Sequence, residues 1–279
     1  MSVKGIDISK HNGEIDFRKV KNDGIDFAMI RAGYGCNTVD TYFHKNIKSA
    51  KENGIKCGVY WFSYAYTPQM AKKEAEKCID TIKQYDLDYP VAFDFEYDSV
   101  YYAERNGINI TKDLASQIAN TFLSTVKNAG YHANLYTNID YYNNYFNESV
   151  KEKYDIWLAA YRDTEPKYGQ KMWQYSEIGQ VNGISGCVDM NISHYEEIAN
   201  KSTQGVKTVD ITLSVLQINS KGNSVKSIQQ LLNARGFSCG TADGIFGTKT
   251  KNAVMQYQKS KKLTVDGIVG KQTYQSILS

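Results

Sequence analysis

Residues 91–98 read VAFDFEYD. So much Val, Ala and Phe in one short run predicts a buried strand, yet two carboxylates stand inside it, two positions apart. Side chains at i and i+2 of a strand share a face. Phe93 and Phe95 then point one way, and Asp94 and Glu96 the other. Such a strand fits a closed sheet wrapped by helices. Its phenyl groups face the helices, and its acids face the barrel interior or its mouth. Unpaired buried carboxylates are costly, so the pair reads as a site.

Working outward from this run, β-like segments alternate with helical ones from residue 3 to about 138. KGIDIS (4–9), FAMIRAG (27–33), KCGVYWFS (56–63), PVAFDFE (90–96) and HANLYTN (132–138) read as strands, bounded by Gly, Asn or Pro. Between them lie FHKNIKSAKENG (43–54), ending in Gly54, and PQMAKKEAEKCIDTIKQY (68–85), opening on Pro68. Thr111, Leu114, Ile118, Phe122 and Val126 outline a further amphipathic helix. Three later strands follow, DIWLAAY (155–161), KMWQYS (171–176) and GCVDMNIS (186–193), with gaps too short for full helices. Five β-α units imply a parallel sheet with right-handed crossovers. The expected architecture is α/β: an irregular (β/α) TIM-like barrel of eight strands and about five helices. An open doubly wound sheet is the alternative. Active sites of such barrels lie at the C-terminal strand ends, and here the acids immediately precede a predicted loop, YDSVYYAERNG (97–107).

Two more strands carry an acid among apolar neighbours, Asp7 in GIDIS and Asp189 in CVDMN. Strands one and eight of a closed barrel are neighbours, so Asp7, Asp94, Glu96 and Asp189 can meet at one mouth. Three chemistries suit convergent carboxylates. They can hold Mg²⁺ or Ca²⁺, form a structural network with Lys or Arg, or hydrolyse a glycoside with one acid and one stabilising carboxylate. The chain has 22 Tyr against 10 Phe. Tyr34, Tyr60, Tyr64, Tyr136 and Tyr161 lie near strand ends, with Trp173 close by. Rings with a polar edge match the faces and hydroxyls of sugars, so these six are candidate saccharide contacts. Cys36, Cys57, Cys78, Cys187 and Cys239 are scattered, and His11, His44, His132 and His194 have no ligand spacing. No disulfide framework, metal site or cofactor is expected. GYGCNT (33–38) lacks the third Gly of a dinucleotide loop.

The chain has 279 residues, enough for about two domains. Residues 1–200 carry 22 basic and 27 acidic side chains, a net of −5, whereas residues 201–279 carry 11 and 3, a net of +8. Boundaries are expected at 1–199 for the barrel, 200–212 for a linker and 213–279 for a tail module. In the tail, DGIFGTKT (243–250) and DGIVGKQT (266–273) repeat at a spacing of 23 residues. Val225, Ile228, Leu231 and Leu232 mark one helix, Ala253, Val254 and Tyr257 a second, and Thr273, Ile277 and Leu278 a third. The tail is therefore expected to be a small all-α three-helix domain.

The order of GIDIS, IRAGYG, GVYWFSY, DFE, LYTN, IWLAAY, MWQY and SGCVDMN resembles that of the glycoside hydrolase family 25 lysozymes, over roughly residues 3–195. The resemblance implies an irregular α/β barrel that hydrolyses the β-1,4 bond from N-acetylmuramic acid to N-acetylglucosamine in peptidoglycan. By the same resemblance Glu96 is the general acid. Asp94 is its partner, assisting the substrate's own acetamido group as internal nucleophile, and Asp7 and Asp189 flank the site and tune protonation. The tail is similar to a peptidoglycan-binding module at Asp243, Gly244, Gly247, Thr250, Asp266, Gly267, Gly270 and Thr273. Those residues also suit turns and caps with no ligand contact.

The implied partner is bacterial cell-wall peptidoglycan, and a +8 tail suits its polyanionic polymers. A single Arg and few exposed aromatics in the tail argue against nucleic acid. No run approaches the ~18 apolar residues of a membrane span, and MSVKGIDISKHNGEID contains no apolar signal region. The expectation is a phage endolysin or a bacterial autolysin; the missing signal region favours the endolysin, which waits in the host bacterial cytoplasm and acts at the wall after a holin opens the membrane. A catalytically inactive wall-binding protein is the alternative.

Overall fold

The computed structural model describes residues 2–195 and 215–278. It forms two compact units, Met1–Gln204 and Gly205–Ser279. The predicted linker, 200–212, lies outside the described residues.

The first unit runs β1 (Val3–Ile8), α1 (Phe17–Asn22), β2 (Phe27–Tyr34), β3 (Thr38–Val39), α2 (Phe43–Glu52), β4 (Lys56–Phe62), α3 (Pro68–Ile82) and β5 (Val91–Asp94). It continues with α4 (Tyr97–Arg105), α5 (Lys112–Asn128), β6 (Ala133–Asn138), α6 (Ile139–Asn144), α7 (Glu148–Lys151), β7 (Asp155–Ala159), β8 (Met172–Gly179) and β9 (Val188–Ser193). The sheet order is β1-β9-β8-β7-β6-β5-β4-β2, and β1 pairs with β2 to close an eight-stranded barrel. The crossovers after β1, β2, β4, β5 and β6 carry helices. Local signals set their starts. The Thr67 hydroxyl accepts the Met70 N–H ahead of Pro68, and Thr111 accepts the Leu114 N–H, both at 3.2 Å. GYGCNT becomes the turn between β2 and the short antiparallel β3.

Alternation along the strands divides two layers. Ile6, Ile8, Ile30, Val59, Trp61, Val91 and Phe93 belong to the core beneath the helices. Phe93 meets Phe122 of α5 at 5.0 Å between ring centres. Phe27, Met29, Tyr89, Ala92, Tyr136, Trp157 and Met172 fill the barrel itself. Burying each such large side chain contributes about 1.5–3 kcal/mol. Gly5 leaves room for the Phe27 ring, which a Cβ there would strike.

Two expectations need correction. The sheet is not parallel throughout, because β9 runs antiparallel to both β1 and β8. Eight residues separate β8 from β9, whereas a parallel return needs a dozen or more. This reversal places the beginning of β9 at the mouth formed by the other strands' C-terminal ends, and Asp189 falls in register with Asp7. The segment YDSVYYAERNG is not a loop either. Residues 97–105 form α4, which buries Ser99, Val100 and Ala103. β5 stops at Asp94, and Glu96 is the extended residue (φ −132°, ψ −167°) that starts the helix. Its N–H donates to Ser99 Oγ at 3.1 Å.

The second unit contains α8 (Asn223–Ala234), α9 (Thr248–Ser260) and α10 (Lys271–Leu278) around Val225, Ile228, Leu232, Phe246, Val254, Tyr257 and Ile277. The two D-G-I repeats are built alike, each around one buried glutamine. Gln229 Nε2 donates to Asp243 Oδ1 (2.9 Å), the Ile245 carbonyl (3.1 Å) and Thr250 Oγ1 (3.1 Å), while its Oε1 accepts the Gly244 N–H (2.8 Å). Gln258 makes the same four bonds to Asp266, Ile268, Thr273 and Gly267, at 2.8, 2.9, 3.1 and 2.9 Å. Gly244 and Gly267 have φ of +80° and +71°, which favours glycine. The motif is thus a turn held by an amide.

Gln258→Leu keeps the volume but strands the buried Gly267 N–H and removes the three bonds from Nε2, while Thr273 Oγ1 keeps its bond to the Ile268 carbonyl. We expect a loss of about 2–4 kcal/mol in this unit. Hydrogen exchange should quicken in α9 and α10 and stay unchanged in α3 and α5. Unchanged protection in α9 would refute the clasp.

Candidate active site

The four predicted acids come together at the mouth of the barrel. Asp7 leaves the inner face of β1 and is 6% exposed. Its Oδ2 accepts two amide bonds, from Asn191 Nδ2 (2.7 Å) and Gln174 Nε2 (2.8 Å). Both amides are themselves oriented. Trp157 Nε1 donates to Asn191 Oδ1 at 2.8 Å, and the Tyr161 hydroxyl donates to Gln174 Oε1 at 3.0 Å; the Tyr136 hydroxyl lies at the same distance from Gln174 Oε1 and shares its proton with Glu96. Asp7 also shares a hydrogen bond with Asp189.

Proton affinities follow from this geometry. Burial, the neighbouring Asp7 charge and the hydrogen bond to it push Asp189 up to about 8. Burial raises Asp7 too, against its three hydrogen bonds. Within the pair the shared proton favours Asp189, which donates to Asp7, because the amide donors of Asn191 and Gln174 act on Asp7 alone. Asp94 is pushed well above the carboxylate range by burial and by the Glu96 and Asp7 charges, and Arg31 opposes this. Its Oδ1 is buried without a hydrogen-bond partner among the described residues. Glu96 is raised by burial, against a hydrogen bond with Tyr136, and further by the charges of Asp7 and Asp98. Each acid thus feels at least one other.

Two clefts are lined by residues that bear on the acids, Tyr161 through Gln174 and Arg31 through its charge on Asp94. A cleft of about 630 Å³ includes Tyr161, Arg162, Trp173, Tyr175, Glu177 and Ile178, from the ends of β7 and β8. The other, of about 310 Å³, includes Lys10, Arg31, Tyr34, Tyr64 and Asp98, beyond the ends of β1, β2, β4 and β5. Of the sequence candidates, Tyr161 and Trp173 line the first cleft, and Tyr34 and Tyr64 the second. Tyr136 sits between Gln174 and Glu96. Tyr60 lies deeper, edge-on to Trp157 at 6.1 Å, with its hydroxyl in the field of Asp7, Asp94 and Asp189. Buried Glu74 of α3, raised to about 7 by burial, braces the Tyr64 backbone by accepting its N–H at 3.0 Å.

Sequence reasoning missed Gln174, Asn191 and Arg31. The test that found Asp94 would have found two of them. Gln174 shares a strand face with Met172, and Asn191 with Asp189, so each is a polar residue on an inward row. Among the described residues no three His, Cys, Asp or Glu side chains come together as metal donors.

Because the folded chain keeps the Asp189 proton to about 8 and an unfolded chain loses it near 3.8, this group makes stability fall as pH rises between those values. Asp189→Asn removes the titration. The thermal midpoint of the variant relative to the parent should climb from pH 4 to pH 8. A difference that is flat or falls would refute the shared proton.

Comparison with known proteins agrees with this geometry. Residues 6–184 match the model of glycosyl hydrolases family 25, and residues 221–277 match a putative peptidoglycan binding domain. The autolytic lysozyme of Clostridium acetobutylicum is 31% identical over 276 residues, covering 97% of this chain and 77% of that protein. Two solved structures superpose on the barrel. The modular autolysin LytC of Streptococcus pneumoniae, in complex with a synthetic peptidoglycan ligand, gives a TM-score of 0.60 at 32% identity, over 68% of this chain and 46% of that one. A family 25 glycosyl hydrolase from Bacillus anthracis gives 0.59 at 25% identity, over 69% and 89%. The chain belongs to glycosyl hydrolases family 25, as a lysozyme-class glycoside hydrolase that also carries a peptidoglycan-binding domain.

Proposed function

We propose that this chain hydrolyses the β-1,4 bond between N-acetylmuramic acid and N-acetylglucosamine in peptidoglycan. The observation that carries the reading is the meeting of Asp94 and Glu96 with the Asp7–Asp189 pair at one mouth between two tyrosine-lined clefts. A glycan laid across the mouth reaches both clefts while its scissile bond lies over the acids.

Glu96 has the raised proton affinity that a general acid needs near neutrality. It gives its proton to the glycosidic oxygen as the bond to the anomeric carbon breaks. Once the proton resides on Glu96, one of the charges that raise Asp94 is gone, and Arg31 together with the incoming acetamido N–H offsets the burial that otherwise keeps Asp94 protonated. An ionised Asp94 accepts the acetamido N–H, and the acetamido oxygen closes on the anomeric carbon. Glu96, now a carboxylate, takes a proton from the water that reopens the ring, so configuration is retained. Asp7 and Asp189 hold a fixed charge beside this exchange.

The basic second unit tethers the barrel to anionic wall polymers and raises its effective concentration there. In this reading the enzyme waits in the host cytoplasm and reaches the wall once a holin opens the membrane. No described helix is long and apolar enough to cross a membrane.

Glu96→Gln should slow clearing of wall suspensions about a thousandfold. Fragments from the parent enzyme should carry reducing muramic acid ends. Reducing glucosamine ends or cut peptides would refute the assignment. Tyr136→Phe removes a bond that lowers the Glu96 proton affinity. Its alkaline limb of kcat/KM should therefore move to higher pH, and a downward move would count against Glu96 as the acid. Deleting residues 201–279 should impair lysis of whole cells far more than cleavage of soluble fragments, with the gap narrowing at high salt. Equal losses on both substrates would refute the tether.

A further inference from the structure

The smaller cleft carries two cations, Arg31, which acts on Asp94, and Lys10, which glycan hydrolysis does not use. Arg31 Nε donates to Asp40 Oδ2 at 2.8 Å. Asp40 is 2% exposed and also accepts the backbone N–H groups of Lys10 (3.1 Å) and Tyr42 (2.9 Å). This buried carboxylate ties the loop after β1 to the end of β2 and brings both cations to one wall. The Tyr34 ring lies against each, 5.3 Å from Lys10 Nζ and 5.5 Å from Arg31 Cζ. Among the described residues, no salt bridge engages the Lys10 ammonium, and Arg31 Nη2 has no hydrogen-bond partner. Asp98 on the rim is the one acid lining the cleft. The larger cleft has the opposite balance, with Arg162 outnumbered by Asp163 and Glu177.

We propose that the smaller cleft seats a carboxylate of the peptide that branches from the substrate glycan, with Lys10 as its principal contact. The proposal rests on the hydrolytic reading above. Neutral sugar hydroxyls require no cation pair. The muramic sugar beside the scissile bond bears the peptide arm, so every productive complex brings an anionic arm to the mouth. Asp98, two residues after Glu96 in sequence, lines the same cleft as Lys10 and Arg31, which places the cationic wall next to the acids. The site then favours peptide-bearing strands over those whose carboxylates are masked. Wall phosphate offers the same oxyanion chemistry from another source.

The test uses the full chain and short soluble wall fragments, stripped of phosphate polymers by hydrofluoric acid. One set keeps its carboxylates, and the other has them capped as neutral amides. The parent enzyme should favour the free set about tenfold in kcat/KM. Lys10→Glu should bring the ratio close to one, and Lys10→Arg should preserve it. The basic second unit is common to all three proteins, so its attraction cancels. Equal rates of the parent on both sets would overturn the proposal, as would a preference that survives Lys10→Glu. A rate that drops on phosphate removal and ignores capping would overturn it in favour of a phosphate ligand. Failure of the parent to cleave either set would instead refute the hydrolytic reading.

Discussion

Asp7 and Asp189 face each other because β9 runs against its neighbours. The short link from β8 forbids a crossover, so the chain returns by a hairpin and closes the barrel with its eighth strand reversed. With a parallel β9, a residue second from its start would lie at the opposite end of the barrel from Glu96. The reversal also sets Asn191 beside Asp7, and Asn191 in turn anchors on Trp157. One constraint on chain length thus determines which acids meet.

Proton placement follows. Four carboxyl groups cannot all ionise in a buried mouth, so each influences its neighbours. Amides from Gln174 and Asn191 keep Asp7 an acceptor, which leaves the proton of that pair on Asp189. Glu96 differs from the other three in standing outside the sheet, at the start of α4, where its backbone is tied by Ser99 and its carboxyl faces Tyr136. In the proposed reaction that position presents Glu96 to the substrate from the start of α4. Asp40 plays the corresponding structural part on the other wall, saturating itself so that Lys10 and Arg31 stand together.

The second unit applies the same device twice at smaller scale. A buried glutamine reaches four partners and closes a glycine turn onto a helix start. Conserving that geometry needs Asp, Gly and Thr at fixed spacing, which explains the repeat without invoking a ligand. Its surface charge, not its turn motif, is what suits a polyanionic wall.

The sequence by itself determined the eight strands, the helices opened by Pro68 and Thr111, the inward face of Asp94 and the turn repeat. Each is a local pattern, since alternation, capping and glycine turns act within a few residues. The tertiary structure alone decided the direction of β9, the helix that takes Glu96 out of its strand, and the partners of Asp7. Gln174 and Asn191 lie 167 and 184 residues from Asp7. The glutamine clasps stand 14 residues before Asp243 but only 8 before Asp266, so no single period discloses them. Periodicity assigns a side chain to a face; which group it meets there depends on closure of the sheet.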